Sequence, residues 1–261
     1  MQIAHAGRKA STLPPYQGRG AHLPADGGWQ TVGPSAMPFG ELPAPRTLSE
    51  EEIGAVVADF AAAARRAVAA GFDAIEIHGA HGYLQHQFLS PLSNERKDSY
   101  GVDAAGRARL TLETVDAVRS VMPAGMPLFI RLSATDWVEG GWDVDGTVSL
   151  TAELLTRGVD FISISSAGND PGQEIPVGPG YQLPLARAIR SRTGAVVGAA
   201  GLITGAEQAE TALIDGATDV VFAARQFLRE PGFALRAAAE LGGELPWPRQ
   251  YRMARFAGSI P

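Results

Sequence analysis

From Ile53 onward the apolar positions of the chain switch between two spacings. Ile53, Val56, Val57, Phe60, Ala64 and Val68 recur every three or four residues, the pattern of a helix with one buried face. Ser49-Glu-Glu-Glu52 ahead of them is a capping box and Gly71 is a stop. Residues 74–78 then form a short apolar run, read as a strand covered on both faces. The pair repeats. Helices are predicted over 104–121, 145–155, 183–192 and, behind a second capping box at Thr204-Gly-Ala-Glu207, up to Gly216. Strands are predicted over 127–133, 160–165, 195–201 and 219–224, with a final helix over 226–241 and a short opening strand over 2–6.

Strict alternation of helix and continuous apolar strand means a parallel sheet covered by helices. A doubly wound sheet would carry a Gly-rich fingerprint after its first strand, which is absent here, whereas a barrel places polar residues at the ends of several strands. His5, His78, Arg131, Ser165, Gly201 and Arg225 all fall at or just beyond strand ends. The expected fold is therefore a (β/α)8 TIM barrel in a single domain, 1–261. About six β/α units are recognisable where eight are needed, with the shortfall at the N-terminus, so the barrel is expected to be N-terminally truncated. Residues 12–46, rich in Pro and Gly, are expected to form a cap over the barrel mouth.

Composition narrows the class. A net charge of −6 with scattered arginines argues against a nucleic-acid partner. The absence of cysteine excludes disulfides and thiolate chemistry. No apolar run approaches membrane-spanning length and no signal peptide is visible, so a cytoplasmic protein acting on a small molecule is expected.

The candidate chemistry gathers where strand 74–78 becomes loop. Neutral imidazoles at His78 and His81 can donate to one carbonyl or phenolate oxygen, and Tyr83 brings a phenol able to deliver a proton. A metal site using His78, His81, His86 and Glu76 is a weaker rival, because Glu76 alternates with Ile75 and Ile77 and no further ligand cluster appears. Histidines that only close a strand are the bland alternative. Arg131, flanked by core positions, requires an anionic or strongly polar partner. The small-residue turns at 199–204 and 222–226 lie where barrels commonly bind phosphate.

These residues fall in motifs. Gln2-Ile-Ala-His-Ala-Gly-Arg-Lys-Ala10, Glu76-Ile-His-Gly-Ala-His-Gly-Tyr-Leu84, Gln87-Phe-Leu-Ser-Pro-Leu-Ser-Asn-Glu-Arg96, Tyr100-Gly101, Phe129-Ile-Arg-Leu-Ser133 and Phe222-Ala-Ala-Arg225 together resemble the Old Yellow Enzyme family of FMN-dependent ene reductases, in its compact bacterial branch. The resemblance implies FMN as cofactor, NADPH or NADH as reductant and an enone as substrate. It implies that Gln2 and Arg131 hydrogen-bond the flavin, and that Gly201, Ala224 and Arg225 face its phosphate. His78 and His81 would hold the substrate oxygen and Tyr83 would protonate the α-carbon. It further implies a homo-oligomer in which a tail arginine, Arg252 or Arg255, reaches a neighbouring site. Ala224 stands where the family usually has Gly, and the first two strands of the family's barrel have no counterpart. The competing expectation is a non-catalytic barrel fragment that closes only with a partner chain or by self-association.

Overall fold

The computed structural model describes residues 1–18 and 20–255. Six parallel strands form one sheet in sequential order: β1 (Gln2–Ile3), β4 (Ile75–Gly79), β5 (Leu128–Ser133), β6 (Phe161–Ser165), β7 (Val197–Ala199) and β8 (Val220–Val221). Two further strands, β2 (Val32–Gly33) and β3 (Arg46–Thr47), pair with each other in the excursion after β1. The helices are α1 (Glu50–Ala69), α2 (Leu84–Leu89), α3 (Ala104–Val121), α4 (Val144–Thr156), α5 (Leu183–Thr193), α6 (Ala206–Ile214), α7 (Ala224–Arg229) and α8 (Phe233–Glu240).

Period-two alternation divides each strand between two faces. Ile75, Ile77, Leu128, Ile130, Leu132, Ile162, Ile164 and Val197 are fully buried on the helix-facing side, each contributing about 1.5–3 kcal/mol of burial. The register brings the other set side by side: Gln2 beside Glu76, Glu76 beside Phe129, His78 beside Arg131, and Arg131 beside Ser163. Deeper on this inner face Phe161 packs against Phe129 and Phe222, and a Cβ on Gly198 would collide with Phe161 and Phe222. Gly198 is glycine because two aromatic rings occupy its side-chain space.

β1 and β8 are the two edges of the sheet and are not hydrogen-bonded to each other. The inward residues nearest this gap, Val220 and Phe222, are 40% and 36% exposed. The six recognisable units of the sequence are thus the six strands of the sheet, and the barrel is open between its ends.

Local sequence accounts for most element boundaries. The Ser49 Oγ accepts from the Glu52 amide and the Glu52 carboxylate accepts from the Ser49 amide, so the expected capping box opens α1. Asp103 and Asp143 cap α3 and α4, and left-handed Gly194 ends α5. Two expectations need correction, and one helix was not foreseen. α6 is preceded by Gly205 without a side-chain cap, because the Thr204 amide is taken by the Gln208 side chain. The final helix is two, α7 and α8, since Pro231-Gly232 interrupts it. The short helix α2 was hidden in the motif 84–89, whose residues are all buried and carry no amphipathic signal.

The 12–46 excursion is pinned rather than loose. The buried Arg8 guanidinium donates to the carbonyls of Met37, Pro38 and Asn169. Arg96 donates to those of Pro34 and Leu48. Lys9 lies 4.3 Å over the Phe39 ring, so the excursion is held against the side of the sheet where the strands end.

Candidate active site

His78 is the last residue of β4 to carry a side chain, ahead of Gly79, and His81 follows in a two-residue turn. Both His81 and Gly82 are left-handed, with φ of 59° and 68°, a conformation uncommon for a residue with a side chain. Gly82 is obligatory here, since a Cβ would collide with the Gly168 carbonyl.

The two rings form a directed chain. The Ala80 amide donates to His78 Nδ1 at 3.1 Å, which leaves the His78 proton on Nε2. His78 Nε2 lies 3.2 Å from His81 Nδ1, and His81 Nε2 lies 2.7 Å from Ser165 Oγ. Each ring therefore carries its proton on Nε2 and donates onward. Burial is the main force depressing both pKa values, to about 4 for His78 and about 3 for His81, with the Arg131 charge adding to it. Both are neutral donors at neutral pH. Tyr83 stacks on His78 with ring centroids 4.7 Å apart.

A cavity of about 300 Å³ opens beside His81 and runs along the strand ends, past Arg131 and Gln182, to Gly201 and Arg225. Arg131 projects from β5, and its Nε is buried without a hydrogen-bond partner. Burial lowers its pKa, opposed by the Glu76 charge. No ion pair engages Arg131 among the described residues. Among the described residues, no side chain is the polar partner that the sequence demands for Arg131. At the far end Gly201 has φ of 128°, and the turn at Ala223, Ala224 and Arg225 faces it across the cavity.

Of the residues singled out in the sequence, His81, Arg131, Gly201, Ala224 and Arg225 line this one cavity, with His78 adjoining His81 and Tyr83 stacked behind His78. Gln2 does not line it; its side-chain amide donates to Glu76 at 2.6 Å near the open edge. His86 and Glu76 are not grouped with the histidine pair as metal ligands: His86 Nε2 sits 2.9 Å from Asp136, and Glu76 accepts from Gln2. Arg252 and Arg255 lie in and beside an exposed 3-10 turn at the C-terminal end of the described chain.

Sequence reasoning left Gln182 and Ser166 unassigned. The Gln182 side-chain nitrogen donates to Ser166 Oγ at 3.1 Å and to Ser165 Oγ at 3.3 Å. A signal existed for the strand serines, because Phe161-Ile-Ser-Ile-Ser165 alternates and so turns Ser163 and Ser165 to the inner face. Gln182 precedes a helix without any pattern that marks it.

Comparisons with known proteins bear on the family and the fold. The model of the NADH:flavin oxidoreductase / NADH oxidase family matches residues 1–244. The chain is 44% identical over 255 residues to an NADPH dehydrogenase of Listeria innocua, covering 97% of this chain and 70% of that protein. It is 41% identical over 269 residues to an NADH:flavin oxidoreductase of Gibberella zeae, covering 96% of the chain and 65% of the relative. Among solved structures, morphinone reductase superposes with a TM-score of 0.72 at 30% identity, over 95% of this chain and 66% of that one. A 2-naphthoyl-CoA reductase complex superposes with a TM-score of 0.75 at 26% identity, over 92% of this chain and 37% of that one. The chain thus spans between 37% and 70% of the length of these relatives. Its open six-stranded sheet is part of their TIM barrel, and the chain belongs to the NADH:flavin oxidoreductase / NADH oxidase family.

Proposed function

We propose that the chain is an ene reductase, using FMN and NADPH or NADH to reduce the C=C bond of an α,β-unsaturated carbonyl compound. The observation that carries this reading is the pair of neutral, Nε2-protonated histidines ending at the mouth of a cavity that also holds a half-buried arginine whose Nε has no hydrogen-bond partner.

The residues present fit FMN. Arg131 offers a desolvated guanidinium whose Nε has no partner within the protein, suited to the electron-rich end of an isoalloxazine. Gly201 and Arg225 supply a side-chain-free backbone and a cation, suited to the phosphate. The chemistry that FMN supplies when bound is hydride transfer, from the nicotinamide to the β-carbon of the enone.

The protein's own groups do the rest. An arriving carbonyl oxygen replaces His81 Nδ1 as the acceptor from His78 and Ser165 Oγ as the acceptor from His81. Two N–H donors then polarise the carbonyl and stabilise the enolate oxygen as charge develops on it. Their low pKa values keep both as hydrogen-bond donors rather than general acids, which leaves α-carbon protonation to a separate group. Tyr83, stacked on His78, is that group. Gln2 is the weakest member of the proposed flavin set, because its amide is engaged with Glu76.

Incubating the FMN-loaded protein anaerobically with NADPH or NADH and 2-cyclohexenone tests the reading. Cyclohexanone should form with matching nicotinamide oxidation; a protein that oxidises the nicotinamide in air yet never reduces the enone contradicts it.

The open seam favours a second reading, a barrel that closes only by self-association or with another chain. It rests on the unpaired edges β1 and β8 and the exposed Val220 and Phe222. A monomer that melts cooperatively with flavin bound would overturn it.

A further inference from the structure

All four backbone polar groups of the left-handed His81–Gly82 turn are held by side chains. The His81 amide donates to Ser133 Oγ at 2.9 Å, and the His81 carbonyl accepts from Lys9 Nζ at 2.9 Å. The Gly82 carbonyl accepts from the Gln87 side chain at 2.7 Å, and the Gly82 amide donates to His86 Nδ1 at 2.9 Å. Strained backbone persists only where its surroundings over-determine it, and this turn has a partner for every group.

His86 is the member whose hold depends on a proton's place. It is fully buried, and so is Asp136, whose Oδ1 lies 2.9 Å from His86 Nε2. The other oxygen of Asp136 accepts from Ser90 Oγ at 2.6 Å and from the Trp142 amide at 2.9 Å. Asp136 accepts both hydrogen bonds through Oδ2, and its Oδ1 meets His86 Nε2 as a buried 2.9 Å contact without an aligned hydrogen bond. The Gly82 amide donating to Nδ1 places the His86 proton on Nε2, the nitrogen that faces this carboxylate.

We infer that His86 is a positioning residue, which with Asp136 fixes the left-handed turn that aims His81 at the substrate oxygen. The inference rests on the proposed oxygen-binding role of His78 and His81. It makes a distinctive demand of Asp136→Asn, a substitution that preserves volume. The Trp142 amide is always a donor, so the oxygen of the substituted side chain must face it and the new amide group must face His86. His86 then accepts at Nε2 and moves its proton to Nδ1, where it opposes the Gly82 N–H. A fixed carboxylate setting an imidazole tautomer is established chemistry.

The test is NMR of uniformly 15N-labelled, FMN-loaded protein at neutral pH, reading histidine ring nitrogens and backbone amides, with phenol as the oxygen-site probe. In the wild type, His86 should be the Nε2–H tautomer. In Asp136→Asn it should be the Nδ1–H tautomer, with the His81 and Gly82 amide resonances displaced. Phenol should bind about tenfold more weakly while FMN stays bound, and kcat should fall by up to roughly 100-fold. A wild-type His86 protonated on Nδ1 overturns the inference, as does an Asp136→Asn protein with the flipped tautomer and unchanged amide shifts and phenol affinity. Should Asp136→Asn fail to fold, the wild-type tautomer decides. If wild-type protein binds no phenol, it is the oxygen-site reading that fails, and the tautomer and amide shifts still decide the role of His86.

Discussion

His78 Nε2 lies 3.2 Å from His81 Nδ1, and the Ala80 amide fixes the direction in which that contact donates. The two histidines do not point at a common site in parallel; they are in series, and a substrate oxygen must break the link. Replacing His78 by Ala removes one of two donors to that oxygen. Phenol and enone binding should weaken about tenfold in an absorbance titration, with FMN retained. Loss of FMN on His78→Ala would show instead that His78 supports the cofactor site.

Acid should destabilise the fold through the same pair. The ordinary histidine pKa is 6.5, and burial beside Arg131 holds His78 at about 4 and His81 at about 3. Between these values the unfolded chain binds protons that the folded chain refuses, so stability falls as pH drops from 6.5. The slope is about 1.4 kcal/mol per pH unit for each histidine until the folded-state values are reached. Melting temperature measured from pH 7 to 4 should decline, and the decline should be shallower in His81→Phe.

Arg131 presents the opposite trade between stability and binding. Its unpartnered Nε costs the protein about 1–3 kcal/mol. Arg131→Met should therefore leave the flavin-free protein no less stable in a thermal melt. The same change should weaken FMN by about 10- to 100-fold, through loss of a charged hydrogen-bond donor. Unaltered FMN affinity in Arg131→Met would place the cofactor elsewhere.

The aromatic floor of the sheet is tested at Gly198. Alanine there collides with Phe161, which is buried, and with Phe222, which borders the open seam and has room to move. The expected cost is about 1–3 kcal/mol of overpacking, read as a lower denaturation midpoint, with His81 and Arg131 not in the contact.

The sheet was legible because its strands are continuous apolar runs with Gly or Pro stops, a pattern set by local sequence. Gly194 and Ser49 mark boundaries that the structure keeps. α2 was not legible, because a helix buried on every face shows no periodicity, and the break between α7 and α8 is marked only by Pro231-Gly232. The gathering of His81, Arg131, Gly201 and Arg225 followed from the strand-end rule. What supports them did not: Lys9 and Ser133 meet the His81–Gly82 turn, and Asp136 meets His86 behind it, from distant parts of the chain, and one-dimensional patterning carries no trace of such contacts. Gln2 shows the reverse case, a motif residue whose side chain is engaged by its strand neighbour Glu76.

The central claim is that the cavity between His81 and Arg225 is a flavin site whose histidines bind an oxygen beside it. An absorption spectrum of the purified protein, incubated with FMN and freed of excess, tests this most directly. About one flavin per chain is expected, with a spectrum perturbed by phenol in the wild type and much less in His78→Ala. A protein that stays colourless after exposure to FMN, or whose bound flavin is blind to phenol, would contradict it.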